Sequence, residues 1–189
     1  MTEPDGQNPT KPARPGPRKV TPTYLENAAL FYLQRFATSS ENLRRVLMRK
    51  VERSARFHGT DPAEGARWVD ALIARFLASR LLDDALYAES RATSLRRRGA
   101  SRRTIALSLR QKGVEGEIIE GALAAADETE EAPELAAAAR LARKRRLGPY
   151  RPPESRRDHR ERDLAALARA GFSYDVALAV IDADGPDDA

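Results

Sequence analysis

Cysteine is absent from all 189 residues. Disulfides and thiolate chemistry are therefore excluded, and a reducing, cytoplasmic setting is expected. No apolar run approaches the roughly 18–20 residues needed to cross a bilayer, so no membrane partner is expected. The N-terminus has no apolar signal core, and export is not expected. Histidine occurs twice, at His58 and His159. Neither has metal-ligand spacing to another His, Asp or Glu, and each reads as a surface residue near a helix end. There is no Gly-rich phosphate loop, no nucleophile elbow and no Ser/His/Asp set. Asp83-Asp84 precedes a helix, where such a pair ordinarily caps the N-terminus and complements its dipole. The chain is accordingly expected to be no enzyme and to carry no cofactor or metal. Aromatics make up 6% of residues and fall at helical spacing on apolar faces, so Tyr32, Phe36, Trp68 and Phe76 read as core. They do not interleave with basic residues, which argues against base-stacking platforms. Tyr150, in the basic loop Leu147-Gly148-Pro149-Tyr150-Arg151, is the one aromatic expected to face a partner.

The informative presence is a repeat. Leu109-Arg110-Gln111-Lys112-Gly113-Val114 aligns without gaps on Leu167-Ala168-Arg169-Ala170-Gly171-Phe172 at an offset of 58, and Ile118 and Leu123 match Val176 and Ile181. Each copy reads as a helix, a Gly stop with an apolar residue after it, and a new helix. Gly113 and Gly171 are expected to be structural, in left-handed conformation. Leu43–Lys50 resembles Ile105–Lys112 at an offset of 62, with Val51 where the glycine would stand. Its helix is expected to run on to His58, before Gly59.

The periodicity predicts helices over Tyr24–Phe36, Glu41–Phe57, Pro62–Ser79, Asp84–Arg97, Arg102–Lys112, Gly116–Ala126, Glu134–Leu147, Glu154–Arg169 and Tyr174–Ile181. Thr38 with Glu41, and Asp61 with Pro62 and Glu64, mark helix starts. Leu77 and Leu86 are expected inside. No strand-like alternation competes. The reading is all-α, with three tandem three-helix repeats at 24–80, 81–127 and 128–183. A disordered Pro-rich tail at 1–23, which holds six of the twelve prolines, and an acidic tail at 184–189 flank them. Units of about 60 residues are marginal alone, so neighbours should pack together in a monomeric chain.

Charge is segregated. The net charge is +5. Residues 91–112 hold eight basic residues and no acidic one, residues 113–139 eight acidic and no basic one, and residues 140–162 ten basic against three acidic. A lone charge run is usually a solvated face. Here it recurs at a comparable place in the next repeat, which favours a polyanion-binding surface. The candidate residues are Arg97, Arg98, Arg102, Arg103, Arg110 and Lys112 in one patch and Lys144, Arg145, Arg146 and Arg151 in a second. The guanidinium fork fits phosphate and a partner's carboxylate equally. Arg97, Arg98, Arg102 and Arg103 flank the Gly99-Ala100-Ser101 turn, so at least some are expected to face outward, and Arg102→Glu with Arg103→Glu is expected to leave the fold intact.

Leu82-Asp83-Asp84-Ala85-Leu86-Tyr87-Ala88, Arg96-Arg97-Arg98-Gly99-Ala100-Ser101-Arg102-Arg103-Thr104-Ile105 and Leu109–Val114 with Ile118-Ile119 together resemble the middle of RecX regulatory proteins. Gly171-Phe172-Ser173-Tyr174-Asp175 resembles their third repeat, and Ser40–Leu47 their first. Ala170 departs from the pattern, where a basic residue is usual, and so does the extra stretch Glu52–Asp61. The resemblance spans about residues 24–182. It implies tandem three-helix repeats in an elongated, curved molecule. It also implies binding along the groove of the RecA recombinase filament on single-stranded DNA, with lowered recombinase and ATPase activity. Two other classes fit the residues: a stand-alone nucleic-acid-binding helical module acting through phosphate contacts, and a helical scaffold for acidic proteins.

Overall fold

The computed structural model describes residues 16–128 and 131–185. Among them lie nine α-helices, one short 3-10 turn and no strand. The helices are α1 (Pro22–Leu33), α2 (Ser40–His58), α3 (Pro62–Ala78), α4 (Asp84–Arg97), α5 (Arg102–Gln111), α6 (Gly116–Asp127), α7 (Pro133–Arg145), α8 (Pro153–Arg169) and α9 (Tyr174–Ile181). The 3-10 turn, Gly148–Tyr150, was not legible in the sequence. The helix starts follow capping chemistry. Hydroxyl or carboxylate side chains of Thr21, Ser39, Asp61, Asp83, Ser101 and Ser173 accept a first-turn backbone N–H. Pro22, Pro62, Pro133 and Pro153 open their helices, where the missing N–H costs nothing.

Three hydrophobic cores follow the chain in order. α1–α3 enclose Leu25, Leu43, Leu47, Val51, Val69 and Phe76. α4–α6 enclose Ala88, Ala92, Ile105, Leu109, Ile119 and Leu123. α7–α9 enclose Leu141, Leu164, Leu167, Phe172, Val180 and Ile181. A fully buried leucine contributes about 2 kcal/mol, so each core is modest. The helix packing that defines each core stays within its own triplet, and few contacts cross between triplets.

Several expectations are corrected. The N-terminal boundary lies earlier than residue 24. α1 begins at Pro22, and Val20, only 3% exposed, sits in the first core while its N–H donates to Ser54 Oγ at 3.0 Å. Residues 1–15 of the expected tail, and 186–189 of the acidic one, lie outside the described residues. The α2 cap is Ser39, not Thr38, because Ser39 Oγ accepts the Asn42 backbone N–H at 3.2 Å, whereas Thr38 Oγ1 accepts from the Asn42 side-chain amide at 2.7 Å. Leu77 and Leu86 are exposed, since each lies beyond the stripe that meets a neighbouring helix, and Phe36 is exposed because α1 ends at Leu33 and leaves it in the following loop. Tyr150 packs against the third core because the unforeseen 3-10 turn folds it inward.

The repeats meet through one recurring joint. The Ser39 hydroxyl, at the N-terminus of α2, donates to the Lys112 carbonyl at the end of α5. The Ser101 hydroxyl, at the N-terminus of α5, donates to the Ala170 carbonyl at the end of α8, at 2.7 Å. Carbonyls at a helix end have no partner within the helix, so each joint satisfies an orphan acceptor. Arg45 Nη1 adds a bond to the Gln111 carbonyl at 2.8 Å, and Thr104 Oγ1 one to the Ala170 carbonyl at 2.8 Å. Gly113 (φ 75°) and Gly171 (φ 91°) follow these carbonyls. Any Cβ on Gly171 would lie 2.7 Å from Ser101 Oγ, and one on Gly113 would collide with the Glu41 side chain. These two glycines are thus required twice: by left-handed backbone and by the approach of the preceding repeat.

A buried acid holds the third repeat. Asp163 on α8 is 1% exposed. It accepts the Gly148 N–H at 2.9 Å and both Arg151 Nε and Nη2, at 2.6 and 2.8 Å. Burial pushes its pKa up, but the Arg151 hydrogen bonds, the Gly148 N–H and the nearby positive charge outweigh burial and hold it below the ordinary value.

Gly171→Val is expected to lower Tm by several degrees through combined strain and clash, about 2 kcal/mol or more. Gly121→Val at an open helical site should cost less. Equal melting shifts would remove the joint from the account. Asp163→Asn is expected to cost about 2 kcal/mol at pH 7. Because the native pKa is depressed, the carboxylate's stabilisation is full above an unfolded-state value of about 3.9 and is lost as pH falls through the native one. The gap in stability between wild type and variant, followed by urea unfolding, should therefore narrow on acidification. A gap that widens would refute this.

Candidate nucleic-acid interface

The basic run in 91–112 divides into residues used inside the fold and residues left outside. Arg96, on α4, is 3% exposed. It pairs with Asp127 at 2.5 Å and with Glu134 at 2.6 Å, and donates to the Ala100 carbonyl at 3.1 Å. Arg102 pairs with Glu120 at 2.7 Å and Asp127 at 2.9 Å, while its backbone N–H donates to Glu134 at 2.7 Å. The hydrogen bond to Glu120 raises the Arg102 pKa further above its ordinary value. The acidic run thus neutralises part of the basic run, and Glu134, at the start of α7, ties the third repeat to the second. Arg91 donates twice to Ser108 Oγ, at 3.2 and 3.0 Å. Lys112 Nζ reaches Asn42 Oδ1 at 3.3 Å, across the first joint.

Arg102 does keep an outward side, its side chain 43% exposed, but the expectation that its charge can be reversed with the fold untouched is corrected. Its guanidinium faces two carboxylates supplied by α6, and reversing its charge would set three like charges together. Arg151 is likewise engaged, in the bidentate pair with buried Asp163.

Arg97, Arg103 and Arg110 are exposed. Arg98 is exposed and folds back on its own helix, to the Ser94 carbonyl at 3.1 Å and Ser94 Oγ at 3.3 Å. Arg103 and Arg110 stand seven residues apart on the solvent side of α5, opposite buried Ile105 and Leu109, which is two turns of one face. Arg103 also lies beside the second joint, its Cβ 3.5 Å from where a Cβ on Gly171 would sit. Lys144, Arg145 and Arg146 are exposed at the end of α7, with Arg146 left-handed at φ 55°. Their positive charge complements the helix C-terminus there. The structure thus separates the ten candidates. Arg97, Arg98, Arg103, Arg110, Lys144, Arg145 and Arg146 present charge to solvent. Arg102, Arg151 and Lys112 spend theirs on internal contacts.

Sequence reasoning passed over α2. Its solvent side carries exposed Arg45, Arg49, Arg53 and Arg56, interrupted by Glu52. The signal was the helical spacing of Arg45, Arg49 and Arg56. It was missed because acids interleave with these residues in the linear sequence. The first joint sets the N-terminus of α2 on the C-terminus of α5, so Arg45, which also pairs with Glu41 at 2.9 Å, lies against the end of α5. Among the described residues no group of three or more His, Cys, Asp or Glu could hold a metal ion. No helix there is long and apolar enough to cross a membrane.

Comparison with known proteins matches this arrangement. The family model for the RecX second three-helix domain matches residues 83–123, which span α4, α5 and most of α6. The Regulatory protein RecX of Myxococcus xanthus is 51% identical over 182 residues, 96% of this chain and 95% of the relative. That of Agrobacterium fabrum is 33% identical over 159 residues, 84% of this chain and 82% of the relative. A crystal structure of a regulatory protein RecX superposes with a TM-score of 0.60, over 85% of this chain and 71% of that one, at 23% identity. An all-α helical-repeat fold, with sequence identity sustained across nearly the whole chain, establishes that this chain belongs to the RecX family.

Proposed function

We propose that this chain is a non-enzymatic regulator that binds the RecA recombinase filament on DNA and lowers its recombinase and ATPase activity. The observation that carries the reading is the division of the arginines. Arg97, Arg103, Arg110, Lys144, Arg145 and Arg146 remain exposed after the acidic run has claimed Arg96 and Arg102. Such cations on two successive repeats suit a repeating line of phosphates, where each neutralised phosphate releases counterions. The names of the two curated relatives, both regulatory proteins RecX, support a regulatory role.

Filament preference follows from the repeats. Each repeat offers a weak contact, and linking them raises the effective concentration of the second contact once the first has formed. A filament presents its subunits and phosphates at regular intervals, whereas a free subunit offers one set. The difference in affinity between these two states is what shifts the filament's behaviour.

Arg103→Glu with Arg110→Glu is expected to leave circular dichroism and Tm nearly unchanged and to abolish inhibition of RecA-dependent ATP hydrolysis. It should flatten the slope of log affinity against log salt for single-stranded DNA by roughly 1.4, the loss of about two phosphate contacts. Arg102→Glu should instead lower Tm, by breaking the pairs with Asp127 and Glu120. A folded double variant that keeps both its salt slope and its inhibition would make the α5 face a solvated surface only. Loss of DNA binding without loss of inhibition would make the chain's DNA contacts incidental to regulation.

A further inference from the structure

A groove of about 670 Å³ opens where the first repeat meets the second, between the loop after α1, the link from α3 to α4, and the outer side of α4. Its apolar lining includes Phe36, Leu81 and Leu86, which are 54, 49 and 64% exposed. Single exposed apolar residues are ordinary, but three converging on one concavity leave an apolar surface that water covers at a cost.

The charge at this groove is one-sided. Arg80, Arg91 and Arg98 line it, and none is paired with a carboxylate among the described residues. Arg91 and Arg98 engage only serine hydroxyls and a carbonyl. Asp83 is the one acid in the lining, and its carboxylate caps α4 by accepting the Leu86 N–H at 2.9 Å. Arg80 has a left-handed backbone (φ 55°) just past α3, where glycine is favoured, so a cation stands here against local backbone preference.

We propose that this groove docks an acidic amphipathic segment of a partner protein. Apolar side chains of that segment cover Phe36, Leu81 and Leu86, and its carboxylates meet Arg80, Arg91 and Arg98. Charge complementarity selects this occupant. A phosphate backbone offers nothing for the apolar floor, and a basic segment would face three guanidinium groups. Residues 1–15 and 186–189 of this chain lack any large apolar side chain beyond Met1, so neither end supplies the segment. This contact is separate from the α5 face and goes beyond the nucleic-acid reading.

The test uses the full chain and two fluorescein-labelled helical peptides. Both carry Leu and Phe along one face, and the other face is Asp and Glu in one peptide and Lys in the other. Fluorescence anisotropy should show binding of the acidic peptide and not of the Lys peptide, weakening as salt rises. Leu86→Asp puts an acid in the first turn of α4, where it suits the helix dipole, and should lower peptide affinity roughly tenfold with the fold intact. Arg80→Gly should raise Tm by relieving the left-handed strain, yet lower affinity several-fold. Affinity unmoved by both substitutions, or equal binding of the two peptides, overturns the proposal. Sedimentation showing a dimer that Leu86→Asp dissociates would make a second copy the occupant and overturn it as well. Single-stranded DNA affinity of Leu86→Asp should stay within about twofold of wild type if the two surfaces are separate.

Discussion

One hydrogen-bonded joint, used twice, makes three small cores into one molecule. A serine hydroxyl at the start of a middle helix caps its own first turn and donates to the last carbonyl of the next repeat's middle helix. Ser39 does so toward Lys112, and Ser101 toward Ala170. The positive end of one helix thereby meets the negative end of the other, so the dipoles of α2 and α5, and of α5 and α8, favour the contact. The third repeat has no such donor at the matching place. α8 begins after Pro152 without a side-chain cap, and the series stops there. At the other end of the series α2 runs on to Gly59, where a Cβ would meet nothing within 4 Å.

The joint is polar, and this sets how the charges are used. Most large apolar side chains are buried inside their own triplet, and the hydrogen bonds and ion pairs between repeats come from hydroxyls, carboxylates and guanidinium groups. Arg96 is the extreme case, a buried cation held by Asp127 of its own repeat and Glu134 of the next. Removing one partner of such a cluster leaves a buried charge uncompensated, so the cluster fixes the position of α7 more than it adds net stability. The remaining arginines are those the joints do not need, and their exposure follows from the same accounting.

The two proposed surfaces differ in chemistry because they sit in different parts of the repeat. The α5 face is the solvent side of a middle helix, polar apart from Leu107, and its chemistry suits phosphates. The groove lies at a seam, where two cores end and neither covers Phe36, Leu81 or Leu86. Seams in a repeat array are where a partner can touch two units at once. A segment bound there would also hold the angle between the first and second repeats.

The sequence by itself determined the all-α class, the bounds of α4 and α9, and both left-handed glycines. Each of these is set by local chemistry: apolar residues at 3.6-residue period, a capping side chain, a residue without Cβ. The thirty-odd basic residues were equally visible, yet their fates were not. Arg102 and Arg103 are neighbours in sequence with the same side chain, but the helix turns by about 100° per residue. One therefore meets Asp127 and Glu120 while the other meets water. Only the tertiary structure decided which. The partners of Arg96, Arg102 and Ser101 lie 18 to 69 residues away in the chain, and no local pattern encodes a contact at that separation. The groove was hidden for the converse reason. Leu86 reads as core from its type, and only the packing of α4 against α6 shows that its side of the helix has no neighbour.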